Sequence, residues 1–452
     1  MITRASTNAI IGVLLLSIIT RINGMSDNLF DEEEELPTLF PFRTEDYVGF
    51  SVAILGLILA AGGGIGGGGI LVPTYILLLD FPVKHAIPLA STTVFGGAIA
   101  NNLLNVRESH PEHPHRPIID WDLILQLEPM TILGAMIGTT IYDFIPDVML
   151  VTLMILLLSV TAYKTLAKAN KMYEEETKEL MNVYKQRVIM ASENHNDDNG
   201  ETGIVEASTD YESMTHHEKM NNKNNETEKD LLDFDEENSF DEQHRFQALK
   251  DGIKLTTLFV VVTMLELLRG APLSEDNGVI SAFWITDMGV VLVITAFAVH
   301  TRSAILDRYQ NGGPTLSDID WDENNTIVYP LYAVLAGLAA GMFGVGGGII
   351  KGPLMLALGV HPAVASASSA CMILYTSSIS TLSYMTFGSL VYDYGAFCLV
   401  IGIVATLLGQ TLMKGLLRQY KRASLIAYSI GGVVMLSAIA MGIDGTIALL
   451  DA

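Results

Sequence analysis

Residues 64–73 read GIGGGGILVP, and residues 344–353 read GVGGGIIKGP. At a constant offset, Gly64, Gly66, Gly67, Gly68 and Pro73 fall on Gly344, Gly346, Gly347, Gly348 and Pro353, and Pro82 falls on Pro362. Each stretch interrupts a long apolar segment, Tyr47 to Asp80 in the first copy and Tyr329 to Val360 in the second. Three apolar segments of span length follow each break: 85–106, 122–143 and 147–166, then 364–386, 394–414 and 423–443. About 20 helical residues cross a 30 Å hydrocarbon core. Two more such segments, 252–269 and 279–299, lie between the copies. The expected fold is an all-α, polytopic membrane protein. It has two inverted repeats, each a Gly-broken helix pair plus three spans, with two extra spans between them.

Composition agrees with a membrane core. Half of the 452 residues are hydrophobic, 17% are charged, and the mean hydropathy is +0.38. The net charge of −24 is confined to a few places. Residues 168–250 carry −11 and residues 25–46 carry −7, leaving a nearly neutral remainder. An acidic chain lacks the Lys/Arg surface that nucleic acid requires. The two cysteines, Cys371 and Cys398, sit in apolar runs and cannot build a disulfide scaffold or a soft-metal cluster.

The chain divides into seven sections. Residues 1–24 combine Arg4 with a short apolar run, which fits a signal peptide; the alternative is a signal anchor. Residues 25–46 form an acidic polar segment, 47–166 the first repeat, and 167–250 an acidic linker. The linker's first part, to about Ala191, reads as a helix continuing out of the membrane. Its Asn-, Asp-, Glu- and Ser-rich remainder has too little apolar surface to fold. Residues 251–326 hold the two additional spans and a loop, 327–443 the second repeat, and 444–452 a short tail.

Basic residues favour the cytoplasmic side. Lys164, Lys168 and Lys171 place the linker inside; Arg107, Arg116, Arg302 and Arg308 do the same for loops 107–121 and 300–327. Lys414, Arg418, Lys421 and Arg422 place loop 414–422 inside, whereas its counterpart at 144–146 falls outside. The halves are therefore opposite in orientation, provided each broken segment enters and leaves on one side as a re-entrant pair of short helices. Full crossings would remove that argument. The N-terminus then lies outside, as entry through the secretory pathway requires, and the final membrane is the plasma membrane or an endomembrane.

The chain resembles the TauE/SafE family of membrane transporters, also described as sulfite exporters. The duplicated Gly-x-Gly-Gly-Gly…Pro element carries the resemblance, over roughly 47–166 and 327–443, and the layout looks like the plant and protist branch. The resemblance implies transport of anions, with sulfite, sulfonates and related organosulfur compounds as the family's described substrates.

Unwound backbone in a membrane is tolerated where protein or a water-filled cavity satisfies its polar groups. The free N–H groups and positive dipole end of a half-helix form an anion site. The candidate substrate residues at the two breaks are thus Gly64, Gly66, Gly67, Gly68, Gly344, Gly346, Gly347 and Gly348. Close helix packing is the competing reading of such glycines. Lys351 stands where the first copy has Leu71; it either holds an anion or snorkels to the interface. Ser91 and Thr92 in one half, and Thr376 and Ser377 in the other, are candidate oxyanion donors. Interhelical bonding is the alternative for such hydroxyls. Glu128, before Pro129, is the proton-coupling candidate, against simple pairing with a neighbouring helix. Glu266 and Asp287 are further acids within spans. His110, His113 and His115 lie in a Pro-rich loop without metal-helix spacing, so no metal and no cofactor are expected. No nucleophile–base arrangement suggests an enzyme.

The expected function is secondary-active transport of small anions by alternating access. A passive anion channel on the same scaffold is one rival, and a receptor or trafficking factor acting through protein partners of the linker is another. The expected partners are a small inorganic or organic anion and the lipid bilayer.

Overall fold

Glycine and proline set where these helices stop and how closely they approach. The computed structural model describes residues 39–61, 66–111, 113, 116–194, 227–269, 278–311, 317, 319, 321–420 and 424–450. The expected signal segment 1–24, most of the acidic segment and the expected tail's last two residues lie outside that set. The described chain is helical, with one isolated bridge, Ser109 to Pro117, as its β-type pairing.

Among the described residues twelve helices follow in order: α1 Thr44–Ala61, α2 Gly68–Leu77, α3 Val83–Asn105, α4 Trp121–Phe144, α5 Asp147–Asn194, α6 Thr227–Arg269, α7 Gly278–Gln310, α8 Asn325–Phe343, α9 Gly348–Ala357, α10 Pro362–Thr386, α11 Tyr392–Tyr420 and α12 Ser424–Leu450. Seven are long and apolar enough to cross a membrane: α1, α4, α5, α7, α8, α10 and α11. α3 is diluted by Ser91, Thr92, Thr93, Asn101 and Asn102, and the apolar part of α6 contains Lys254 and Glu266.

Two expectations need correction. The broken elements are not pairs of short helices: α1 and α8 have 18 and 19 residues, and only α2 and α9, with 10 each, are half-length. The linker is also more helical than its composition suggests. α5 continues to Asn194 and α6 already begins at Thr227, inside the stretch read as unfolded. Between Thr227 and Arg245 the only large apolar residues are Leu231, Leu232, Phe234 and Phe240, too few and too irregular to mark this part as helical from sequence. Residues 195–226 lie outside the described set.

After the first break the chain folds back. Ile70 packs on Gly56 and Leu79 on Gly49, while Arg43 Nη2 donates to the Leu79 carbonyl at 3.1 Å. The start of α1 and the end of α2 thus lie at one level.

Contacts between helices fix their directions. α3 and α10 are antiparallel: Asn102 Nδ2 donates to the Ala370 carbonyl at 3.1 Å, and Thr381 meets Ser91 at 3.5 Å. α5 and α12 are antiparallel as well, since Glu176 accepts the Ser424 N–H at 2.9 Å while Gly431 meets Leu166. α11 runs parallel to α3, with Gly402 on Thr93 and Gln410 Nε2 donating to Asn101 Oδ1 at 3.0 Å. α4 and α8 run parallel and meet through small residues. A Cβ at Gly337 would lie 2.0 Å from the Thr131 carbonyl oxygen, and one at Gly341 2.1 Å from that of Ala135. Such contacts replace the hydrophobic drive that lipid does not supply.

Prolines inside helices free carbonyls four residues earlier, and tertiary donors take two of them. Tyr142 donates to the Lys84 carbonyl below Pro88, and Gln126 Nε2 donates to the Thr326 carbonyl below Pro330 at 2.7 Å. α6 and α7 are tied on by ions: Arg308 bridges Asp122 and Asp251, and Lys254 reaches Asp251 at 2.8 Å. Asp122 and Asp251 are fully buried.

Candidate functional site

The two glycine-rich breaks meet. A Cβ on Gly68, the first residue of α2, would lie 2.3 Å from Val345 Cα in the other break. Gly66 and Gly346 both rest against the same two side chains, Val94 of α3 and Ile373 of α10. The backbone at Gly66, Gly67, Gly346 and Gly347 has φ between 69° and 79°, the left-handed region that a side chain would strain. These residues let the chain reverse and start a new helix at once: Gly67 accepts from the Leu71 N–H at 3.2 Å, and Gly347 from the Lys351 N–H at 3.0 Å. One carbonyl near the end of each of α1 and α8 is satisfied by another helix. Gln410 Nε2 donates to Ala61 O at 3.0 Å, and Tyr384 donates to Gly341 O. Gly64 lies outside the described residues.

Lys351 occupies the first turn of α9 and is 1% exposed, which overturns the snorkelling reading. Helical side chains lean toward their N-terminus, so this one folds back over the break, with Cε 3.2 Å from a Cβ built on Gly347. Its ammonium donates to Glu128 Oε2 at 3.1 Å and to Thr376 Oγ1 at 2.8 Å. Thr376 in turn has one proton for two acceptors, Glu128 Oε1 at 2.7 Å and the Met372 carbonyl at 2.9 Å. The three groups come from α9, α4 and α10 and close into a buried triangle. The pairing reading of Glu128 therefore has its partner. The Glu128 carboxylate accepts from the Lys351 ammonium with one oxygen and from the Thr376 hydroxyl with the other.

The remaining candidates divide. Ser91 faces Thr381 across the α3–α10 contact, whereas Thr92 and Ser377 donate to carbonyls of their own helices, Pro88 at 2.9 Å and Ile373 at 2.6 Å. Ser369, Ser380 and Ser383 of α10 have buried hydroxyls without a protein partner among the described residues. Nothing in their sequence context separates them from the bonded serines. Glu266 is buried on α6, and Asp287 lies on α7. His110 and His113 stack at 5.1 Å, with His361 5.9 Å from His110; His115 lies outside the described residues. No cluster that could hold a metal ion occurs among the described residues.

The first half builds a neutral counterpart of the triangle. Tyr75 of α2 shares a 2.7 Å hydrogen bond with Thr93 of α3, and Cys398 of α11 lies beside both. Each half thus joins its half-helix, the helix that follows, and one helix of the other half. Only the cluster containing α9 is ionic.

The sequence profile of the family described as Sulfite exporter TauE/SafE matches residues 48–196 and 255–446. Among curated proteins, the chain is 28% identical over 417 residues to Sulfite exporter TauE/SafE family protein 3 of Arabidopsis thaliana, covering 91% of this chain and 81% of that one. It is 27% identical over 405 residues to family protein 2 of the same plant, covering 86% and 81%. No solved structure matches. With both glycine-rich breaks and most of the helical core inside the matched residues, the chain belongs to the TauE/SafE family of membrane transporters.

Proposed function

We propose that the protein is a secondary-active transporter of small anions of the sulfite and organosulfonate class, working by alternating access between two inverted halves at the paired breaks. The observation that carries this reading is the buried Lys351–Glu128–Thr376 triangle over the first turn of α9. Antiparallel packing of the counterpart helices α3 and α10, and of α5 and α12, supports the inverted arrangement. The fold-back of α2 on α1 supports re-entrant breaks.

Glu128 and the cargo compete for the same ammonium. While Glu128 is ionised, Lys351 is neutralised within the protein. A proton on Glu128 would release Lys351 to an incoming anion, so that proton and anion move together. This gives Glu128 the coupling role and Lys351 with Thr376 the binding role.

Proteoliposomes test it. Sulfite or an alkylsulfonate should accumulate against its gradient when a proton gradient is imposed. Lys351→Ala should lower flux roughly ten- to hundredfold, the worth of one or two charge-assisted hydrogen bonds, while leaving membrane insertion intact. Glu128→Gln should keep exchange but lose the response to the proton gradient. Strictly downhill flux would make the protein a channel, and unchanged flux in Lys351→Ala would remove that residue from the site.

A further inference from the structure

A second site lies away from the breaks, between the loop after α3 and the described part of α6. It is a groove of about 780 Å³, inside the roughly 300–1,000 Å³ range of small-ligand clefts. Along α6 its wall is one helical face: Leu249, Ile253, Thr256, Thr257, Val260 and Val261. Leu249, Ile253, Val260 and Val261 are 40–61% exposed. From Leu249 to Val261 this face runs about 18 Å at 1.5 Å per residue. The wall contributed by the loop after α3 is polar: Arg107 and Arg116 line it, with Glu108 as the one acid among the lining residues. Trp121, whose ring packs on Gly252, also lines the groove, and tryptophan marks the level where a bilayer turns from headgroup to hydrocarbon. The ion network of Asp122, Asp251 and Arg308 lies at the same level.

We infer that this groove binds a phospholipid with an anionic headgroup, its phosphate on Arg107 and Arg116 and an acyl chain along Ile253, Val260 and Val261. Charge and apolar length select that occupant together. Two guanidinium groups suit phosphate oxygens, and a basic pocket beside membrane helices is how proteins hold such headgroups. A free anion would use the arginines but leave the apolar face wet. The inference rests on the membrane reading of the chain and not on its transport activity.

Native mass spectrometry of the full-length protein, released from nanodiscs containing phosphatidylserine and phosphatidylcholine, tests it. Phosphatidylserine should be retained roughly tenfold over phosphatidylcholine. R107Q/R116Q should abolish that preference while both lipids still bind weakly, and Ile253→Trp, which fills the space along the apolar face, should remove both. Gel filtration and thermal unfolding check that each variant is folded. Equal retention of the two lipids by the unaltered protein would overturn the proposal. Displacement of phosphatidylserine by millimolar inorganic phosphate would overturn it in favour of a free-anion site. A gain of lipid on deleting residues 195–226 would show that the chain's own linker fills the groove, and would overturn it too.

Discussion

Lys351 and Glu128 stand 223 residues apart in the chain and 3.1 Å apart in the molecule. Each was legible alone, as an ionisable residue in an otherwise apolar span, and Thr376 as one hydroxyl among several. Their meeting was not legible, because it depends on how α9, α4 and α10 pack, and no local pattern encodes that. The pair also separates binding from stability. Removing one member of a buried ion pair costs about 3–5 kcal/mol, since the other is left uncompensated, whereas replacing both by apolar groups is often neutral. Lys351→Met should therefore lower the unfolding midpoint in detergent. Adding Glu128→Leu should restore most of it while leaving flux abolished. If the double substitution recovers both stability and transport, the triangle is only a structural tie.

At the scale of elements, the Gly-rich breaks could be read from sequence because their spacing repeats with a trailing proline. What the repeat did not reveal is that the two breaks touch. Gly68 is glycine because the backbone of Val345 lies where its Cβ would be, 2.3 Å away. Gly352, four residues into α9, has nothing within 4 Å of a Cβ. Gly68→Ala should destabilise the protein by about 1–3 kcal/mol, the usual cost of overpacking, and lower flux with it. Gly352→Ala should be silent or slightly stabilising, since alanine favours a helix. Thermal unfolding and sulfite flux on the two variants check this pair. Equal behaviour would mean that the breaks are not in tight contact. The same scale explains why the length of α6 was missed. Polarity argues for an unfolded linker, and no apolar periodicity between Thr227 and Arg245 signals that the helix starts at Thr227.

For the molecule as a whole, the question is how a net charge of −24 coexists with the proposed anion path. Its distribution answers this: most of the excess lies in segments 25–46 and 168–250, outside the repeats. Basic residues at loop ends then give each loop a side, and that assignment stands or falls with the inverted halves. Ile145 and Pro146 join α4 to α5, and residues 421–423 join α11 to α12, the corresponding connection in the proposed second repeat. In two parallel halves they would face the same compartment; in inverted halves they face opposite ones. Single cysteines at Ile145 and Lys421, in a background with the buried Cys371 and Cys398 replaced by serine or alanine, should react with a membrane-impermeant maleimide from opposite sides. Lys421 should label only from the cytoplasmic side. Asn225 and Asn324 lie in acceptor sequons on segments assigned to the cytoplasm, so both should remain unglycosylated in a eukaryotic host. A glycan at either asparagine, or labelling of both cysteines from one side, would leave alternating access without its symmetry. The antiparallel packing of α3 on α10 would then need another explanation.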